Sequence, residues 1–167
     1  RPVSGVVLIA RTSKALSRMN ELLRNREVKR EYWAVVKERP AELKGELRHY
    51  MKKNESQNKS YAYDDEKKNT KLAVLQYEVI GRSHSYYLLK VNLETGRHHQ
   101  IRCQLAKNGT PIRGDLKYSF PRSNENGGIN LHAKALEFMH PVKQEPIRIE
   151  APLPAADSLW NEFEQLS

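Results

Sequence analysis

The chain has 167 residues, with 29 Lys and Arg against 20 Asp and Glu for a formal net charge of +9. Folding at this length buries roughly 70% of the unfolded surface, so a core can form unaided, and the single cysteine, Cys103, excludes an intramolecular disulfide and a multi-cysteine zinc site. A mean hydropathy of −0.78 with no apolar run of about 18 residues excludes a helical membrane span, and RPVSGVVLIARTSK lacks the basic-then-apolar layout of a signal peptide. The expectations are a water-facing, cytoplasmic, monomeric protein in a reducing compartment, and the opening on Arg1 instead of methionine suggests a piece of something longer. A basic domain gathers polyanions and gains from counterion release when it neutralises phosphates, which makes nucleic acid the leading partner class.

Val3 to Ala10 is a compact apolar run rich in Val and Ile and reads as a buried strand. Thr12 and Ser13 offer an N-cap, and Ala15, Leu16, Met19, Leu22 and Leu23 recur at helical spacing, which predicts a helix over 13–25 with its apolar stripe on the sheet. Glu31 to Lys37 and Gly45 to Met51 read as the next two strands. From 52 to 71 the composition turns polar and charged, nearly without aliphatic residues, as expected of an exposed loop or long hairpin tip that is either merely solvated or in contact with RNA. Leu72 to Ile80 and Ser85 to Leu93, joined by a short GRSH turn, predict an antiparallel hairpin. A helix follows in RHHQIRCQLAKNG with Gly109 near its C-cap; Leu131 to Phe138 and Ile147 to Glu150 read as final strands, and Ala155 to Leu166 as a closing amphipathic helix. Strands mostly adjacent in sequence and interrupted by few helices predict an α+β domain, residues 1–167 as one unit, with a largely antiparallel or mixed sheet.

The densest polar cluster is ETGRHHQIR, Glu94 to Arg102. With a helix starting near Arg97, His98 and His99 each stand about one turn from Arg102, an edge of donors suited to an anion, where a guanidinium could fork onto a carboxylate or phosphate. A metal site finds no support: adjacent His98 and His99 diverge by about 100° on a helix, and no histidine pair has the H-E-x-x-H spacing. A serine hydrolase lacks its G-x-S-x-G elbow. Tyr32, Trp33, Tyr86, Tyr87 and Tyr118 are either core aromatics or platforms for a flipped base.

Four segments carry a resemblance. RPVSGVVLIARTSKAL is similar to the stretch that follows His-Arg-Leu-Asp in RluA-type RNA pseudouridine synthases, and KREYWAVV resembles their K-x-Y-x-A-x-V motif. ETGRHHQIRCQLAKNGTPIRGD resembles their L-x-T-G-R-x-H-Q-I-R-x-H-L-x-x-x-G-x-P-I-x-G-D, and LHAKALEFMHP their L-H-A-x-x-L-x-F-x-H-P. The order is the family's, and the match reaches from Arg1 to Pro141.

The resemblance implies an enzyme in which an aspartate cleaves the uridine glycosidic bond and the base is reattached through C5, with ribosomal or transfer RNA as partner and with no cofactor and no metal. Tyr32 would pack on the target base, and Arg102 would ion-pair with the aspartate and keep it ionised. Leu131 and Leu136 would lie in the pocket-lining segment, and Arg1, Arg97, His98 and Gln100 in the surrounding shell and RNA-facing edge. Gln104 departs from the pattern, standing where a histidine is usual. The aspartate would lie one position before Arg1, so the chain as it stands is expected to be inactive and Arg102 to lack its ionic partner. The alternative is a non-catalytic RNA-binding domain.

Overall fold

The computed structural model describes residues 2–165. Its elements in chain order are β1 (Ser4–Gly5), α1 (Ser13–Arg24), β2 (Lys29–Val36), β3 (Lys44–Asn54), β4 (Lys59–Tyr63), β5 (Lys71–Arg82), β6 (Tyr87–Leu93), α2 (Gln100–Lys107), a 3-10 turn (Leu116–Tyr118), β7 (Leu131–Met139), β8 (Pro146–Glu150) and α3 (Ser158–Glu164). The eight strands form one sheet in the order β1-β7-β2-β6-β5-β3-β4, with β8 also paired to β7. Every pairing is antiparallel except β1 with β7. The α+β class expected from the sequence is therefore the one observed. No helix among the described residues is long and apolar enough to cross a membrane.

The central strands are apolar on both sides because each face is covered. Along β2, Ala34 and Val36 join Leu75, Leu89, Val91, Ile101 and Leu105 in the main core beneath α2, with Tyr32 packed at its margin. Val35 points the other way, to Leu88, Leu159, Trp160 and Phe163 under α3, with Trp33 and Tyr86 at the edge. This strict alternation, with both faces buried, produces the near-continuous run in KREYWAVV.

Three expectations need correction and one open alternative is decided. The apolar run at the start is a strand only at Ser4–Gly5; beyond it Val7 and Ile9 are 78% and 80% exposed, because no element packs over them. Helix α1 forms almost where expected, capped by the Thr12 hydroxyl, which accepts from the Ala15 amide at 3.1 Å, but it buries no residue and Leu16 is 52% exposed. The stripe does not lie on the sheet. The polar stretch 52–71 takes the hairpin alternative and not the loop, since it holds the end of β3, all of β4 and the start of β5. Its ladder tolerates lysine and tyrosine because β4 is the sheet edge and one of its faces meets water. Lastly, α2 begins at Gln100, not near Arg97. The closing helix ends at Glu164; Leu166 lies outside the described residues.

Gly5 explains how β1 attaches. Its φ is +111°, and a Cβ there would sit 2.2 Å from the backbone oxygen of Ala133 on β7. Only glycine lets the two strands approach at this register.

Candidate active site

The helix α2 presents an uncommon interior, since Gln100, Arg102 and Gln104 are all buried in it. Each is paired. Gln100 accepts from the Thr95 hydroxyl (2.8 Å) and the Arg97 amide (2.9 Å) and donates to the Val74 carbonyl, locking the turn before the helix onto β5. The Gln104 amide nitrogen donates to the carbonyls of Leu47 and Ala73 and meets His49 Nδ1 at 2.9 Å, tying α2 to β3 and β5 from a fully enclosed position. The residue that departs from the motif is thus a core fastener.

Arg102 forks onto Asp115, with Nε to Oδ2 at 2.7 Å and a terminal nitrogen to Oδ1 at 2.8 Å; the side chains are 9% and 1% exposed. The expectation that Arg102 lacks an ionic partner is overturned. The Gly-Asp at the end of the helix motif supplies it, because the chain turns back after α2 and sets Asp115 beside the helix, just before the 3-10 turn. Charges this deep are tolerated only in such bidentate, fully bonded pairs.

A third contact fixes the remaining arm. Arg102 NH1 lies 3.2 Å from His99 Nε2, and His99 Nδ1 lies 2.8 Å from the Tyr118 hydroxyl. Arginine can only donate, so Nε2 accepts and Nδ1 carries the hydrogen, which it donates to Tyr118 Oη. Burial, then the Arg102 charge, lower the His99 pKa from 6.5 to about 4, in keeping with a neutral ring. His99 holds a left-handed backbone (φ 51°) as the residue that opens α2, a conformation kept here by contacts on both ring nitrogens. Tyr118 Oη also accepts the Ser60 amide at 2.8 Å, which extends the chain of bonds from Asp115 to the β4 edge strand.

In front of Arg102 lies a cavity of about 270 Å³ lined by Pro2, Val3, Tyr32, Leu93, Arg97, His99, Gln100, Ile101, Arg102 and Leu131. Strand β2 delivers Tyr32, α2 delivers Arg102 and the first residue of β7 delivers Leu131. A register irregularity between Glu31 and Tyr32 on the β7 side, where Lys134 is the unmatched residue, sets how the tyrosine meets its neighbour strand. Burial raises the Tyr32 hydroxyl pKa while the Arg30 charge opposes that. No acidic side chain is among the described residues that line this cavity.

Of the residues singled out in the sequence, Tyr32, Arg97, Gln100, Arg102 and Leu131 meet here. Leu136 does not; it pairs with Arg30 and Ile149 further along β7. His98 turns away from Arg102, its ring stacked on His99 at 3.8 Å and its Nδ1 2.8 Å from the Ser60 hydroxyl. Arg1 lies outside the described residues. Among the other aromatic candidates, Trp33 and Tyr86 face α3, and Tyr118 is a buried hydrogen-bond relay. Sequence reasoning missed Asp115, His99 as the neutral acceptor, and Arg30. Arg30 packs so closely on Gly96 that a Cβ there would meet its NH1 at 2.4 Å, and its buried Nε has no partner among the described residues. The signals were present in KREY and in IRGD, as a basic residue two before the tyrosine and an acid after the helix.

Comparison with known proteins agrees with this geometry. Residues 1–107 match the family model described as RNA pseudouridylate synthase. An uncharacterised RNA pseudouridine synthase of Synechocystis, slr1629, is 32% identical over 93% of this chain and 48% of its own length. The ribosomal large subunit pseudouridine synthase D of Xylella fastidiosa is 33% identical over 92% of this chain and 49% of its own. The uncharacterised synthase ZMO0505 of Zymomonas mobilis is 32% identical, and the match covers 71% of it. This chain thus spans about half the length of the first two relatives. The solved structure of human RNA pseudouridylate synthase domain containing 4 shares the fold, with a TM-score of 0.76 over 96% of this chain at 23% identity. The chain belongs to the RNA pseudouridylate synthase family.

Proposed function

We propose that the protein of which this chain is the catalytic portion isomerises specific uridines to pseudouridine in ribosomal or transfer RNA. Ribosomal RNA is the favoured target, because two of the relatives are named for the large ribosomal subunit. The observation that carries the reading is the convergence of Tyr32, Arg102 and Leu131, from three separate elements, on one cavity.

Such a cavity suits a pyrimidine turned out of its stack: a tyrosine ring for its face, leucine for an apolar wall, and an arginine at the depth of the sugar. Arg102 has five N–H donors, of which two serve Asp115 and one His99, leaving two. Those two are the donors a catalytic carboxylate would use, and a carboxylate so bonded stays ionised at neutral pH and able to attack C1′. Pairing with Asp115 holds the guanidinium in place before any such group arrives, so no reorganisation is needed during the reaction. That attack breaks the glycosidic bond and leaves the sugar esterified to the carboxylate. The base turns within the cavity against Tyr32, C5 displaces the carboxylate from C1′, and the proton lost from C5 is matched by one gained at N1.

No carboxylate among the described residues lines the cavity, so the 167-residue chain alone is expected to leave RNA unmodified. That same observation favours the second reading, an RNA-binding domain without catalysis. Mapping pseudouridine in total RNA from cells lacking the gene separates the two. A site that loses the isomer and regains it with the intact gene, but not with an Arg102→Lys version unable to fork onto two carboxylates at once, supports the enzyme. No change at any site supports the binder.

A further inference from the structure

We propose that the β3–β4 edge hairpin is a track for unpaired RNA, holding the strand that flanks the nucleotide in the cavity. This rests on the RNA-acting reading above and adds where the rest of the substrate lies.

Arg97, which lines the cavity, also lines a second hollow together with Lys52, Lys53, Ser60, Lys71 and His98. Lys52 and Lys53 are shared in turn with a third hollow that also holds Asn54, Tyr61 and Tyr63. No acidic residue lines either hollow among the described residues. Lys52, Lys71 and Arg97 make no ion pair with any described residue, so their charges are free for an outside anion. Lys53 is engaged by Glu55 at 2.6 Å.

The aromatic component is built into the register. Tyr50 opposes Tyr63 and Lys52 opposes Tyr61, so tyrosines and lysine share one face of the two-stranded edge, the face turned away from Met51, Ala62 and α2. The RNA would pass round the edge at Lys52 and Lys53 to reach it. Lys59 Nζ lies 5.5 Å from the Tyr61 ring centre and Lys67 Nζ 4.4 Å from that of Tyr63. A ring with an ammonium beside it takes a base on its face and the neighbouring phosphate on the cation, the combination that unpaired strands use. The acidic residue that follows, Asp64, alternates to the opposite face, towards Lys107 (3.6 Å) and His49 (3.9 Å).

The platform is fixed. Tyr118 accepts the Ser60 amide, Cys103 Sγ reaches the Ser60 carbonyl at 3.3 Å, and Lys117 caps the Gln57 and Asn58 carbonyls at the hairpin turn. Because the Arg102–His99–Tyr118 bonds end at Ser60, the track and the cavity are held to one another by a continuous set of hydrogen bonds.

The test is fluorescence anisotropy of the purified 167-residue chain with a short labelled single-stranded oligouridylate across a salt series. The expected result is that Lys52→Ala with Lys71→Ala weakens binding at least tenfold and lowers the log–log salt slope by about 1.4, from roughly 0.7 for each phosphate that is no longer neutralised. Tyr61→Ala should weaken binding with the slope unchanged, since stacking releases no counterions. The control is Lys14→Glu with Arg24→Glu on α1, near the turn after β7 and remote from the hairpin. Equal losses for the control and the hairpin variants, or none for the hairpin variants while the parent binds, would overturn the track. Displacement of the RNA by acidic peptide as readily as by unlabelled RNA would assign the surface to a protein partner and overturn it too. If the parent chain binds no RNA at any salt, it is the RNA-acting reading that fails.

Discussion

Two regions of this molecule invert the usual relation between hydropathy and burial. Behind the cavity, Arg102, Asp115 and Gln104 are at most 7% exposed, whereas at the start of the chain Val7 and Ile9 face water almost entirely. The polar trio is buried because the fold supplies each with partners at hydrogen-bond distance; the apolar residues are exposed because no element covers them. Burial follows what the neighbouring elements offer, and a sequence window contains only one side of that exchange.

The largest effect should come from breaking the buried pair. Asp115→Ala leaves the Arg102 charge uncompensated and is expected to cost about 3–5 kcal/mol in urea denaturation. Replacing both partners by apolar residues of similar volume, as in Arg102→Met with Asp115→Leu, should recover most of that loss, since no charge is then stranded. A double variant as unstable as the single one would mean that the pair organises its surroundings beyond its own charges.

At the attachment of the exposed stretch, Gly5→Ala drives a Cβ against the Ala133 backbone at a left-handed φ and should cost about 1–3 kcal/mol. The loss is expected to be local: hydrogen exchange should accelerate at Val6, whose amide donates to the Ala133 carbonyl at 2.9 Å, while β5 and β6 stay protected.

How far the sequence disclosed all this depended on the range of each interaction. The cap at Thr12 and the KREYWAVV strand are local patterns and were legible. Tyr32, Arg102 and Leu131 were legible through motifs, which record the outcome of folding in residue identity. The Arg102–Asp115 pair spans 13 positions and a chain reversal, so the motif marked Asp115 as an acid after the helix without showing that it meets Arg102. Residues 52–71 left loop and hairpin undecided because edge strands need no hydrophobic alternation on a wet face, so their composition imitates a loop. The N-terminal run misled outright, as apolar content promises burial only where something lies above it.

A smaller effect concerns pH. The folded-state pKa of His99 is depressed to about 4, so between there and 6.5 the unfolded chain binds a proton that the folded chain refuses. Its contribution to stability is complete above about 6.5 and is lost as pH falls through 4; burial lowers His98, His49 and His132 in the same direction. His99→Asn, a residue that accepts a left-handed backbone, should shallow that slope in urea midpoints measured from pH 7 to pH 4. An unchanged slope would assign the titration to the other histidines.

The smallest effect should lie in the exposed stretch itself. Val7→Ser and Ile9→Thr remove apolar surface that this chain never buries and should change stability by less than about 0.5 kcal/mol. A loss above about 2 kcal/mol would show that these side chains are covered in solution.

The most direct test of the account is tritium release from RNA carrying the label at C5 of uridine, since forming the new carbon–carbon bond expels that hydrogen. The whole product of the gene should release tritium from ribosomal RNA, and Tyr32→Ala should abolish release while it remains folded at the assay temperature and binds RNA with nearly the parent's affinity. No release by the parent from ribosomal or transfer RNA, or undiminished release by Tyr32→Ala, would contradict the assignment of this cavity to uridine isomerisation.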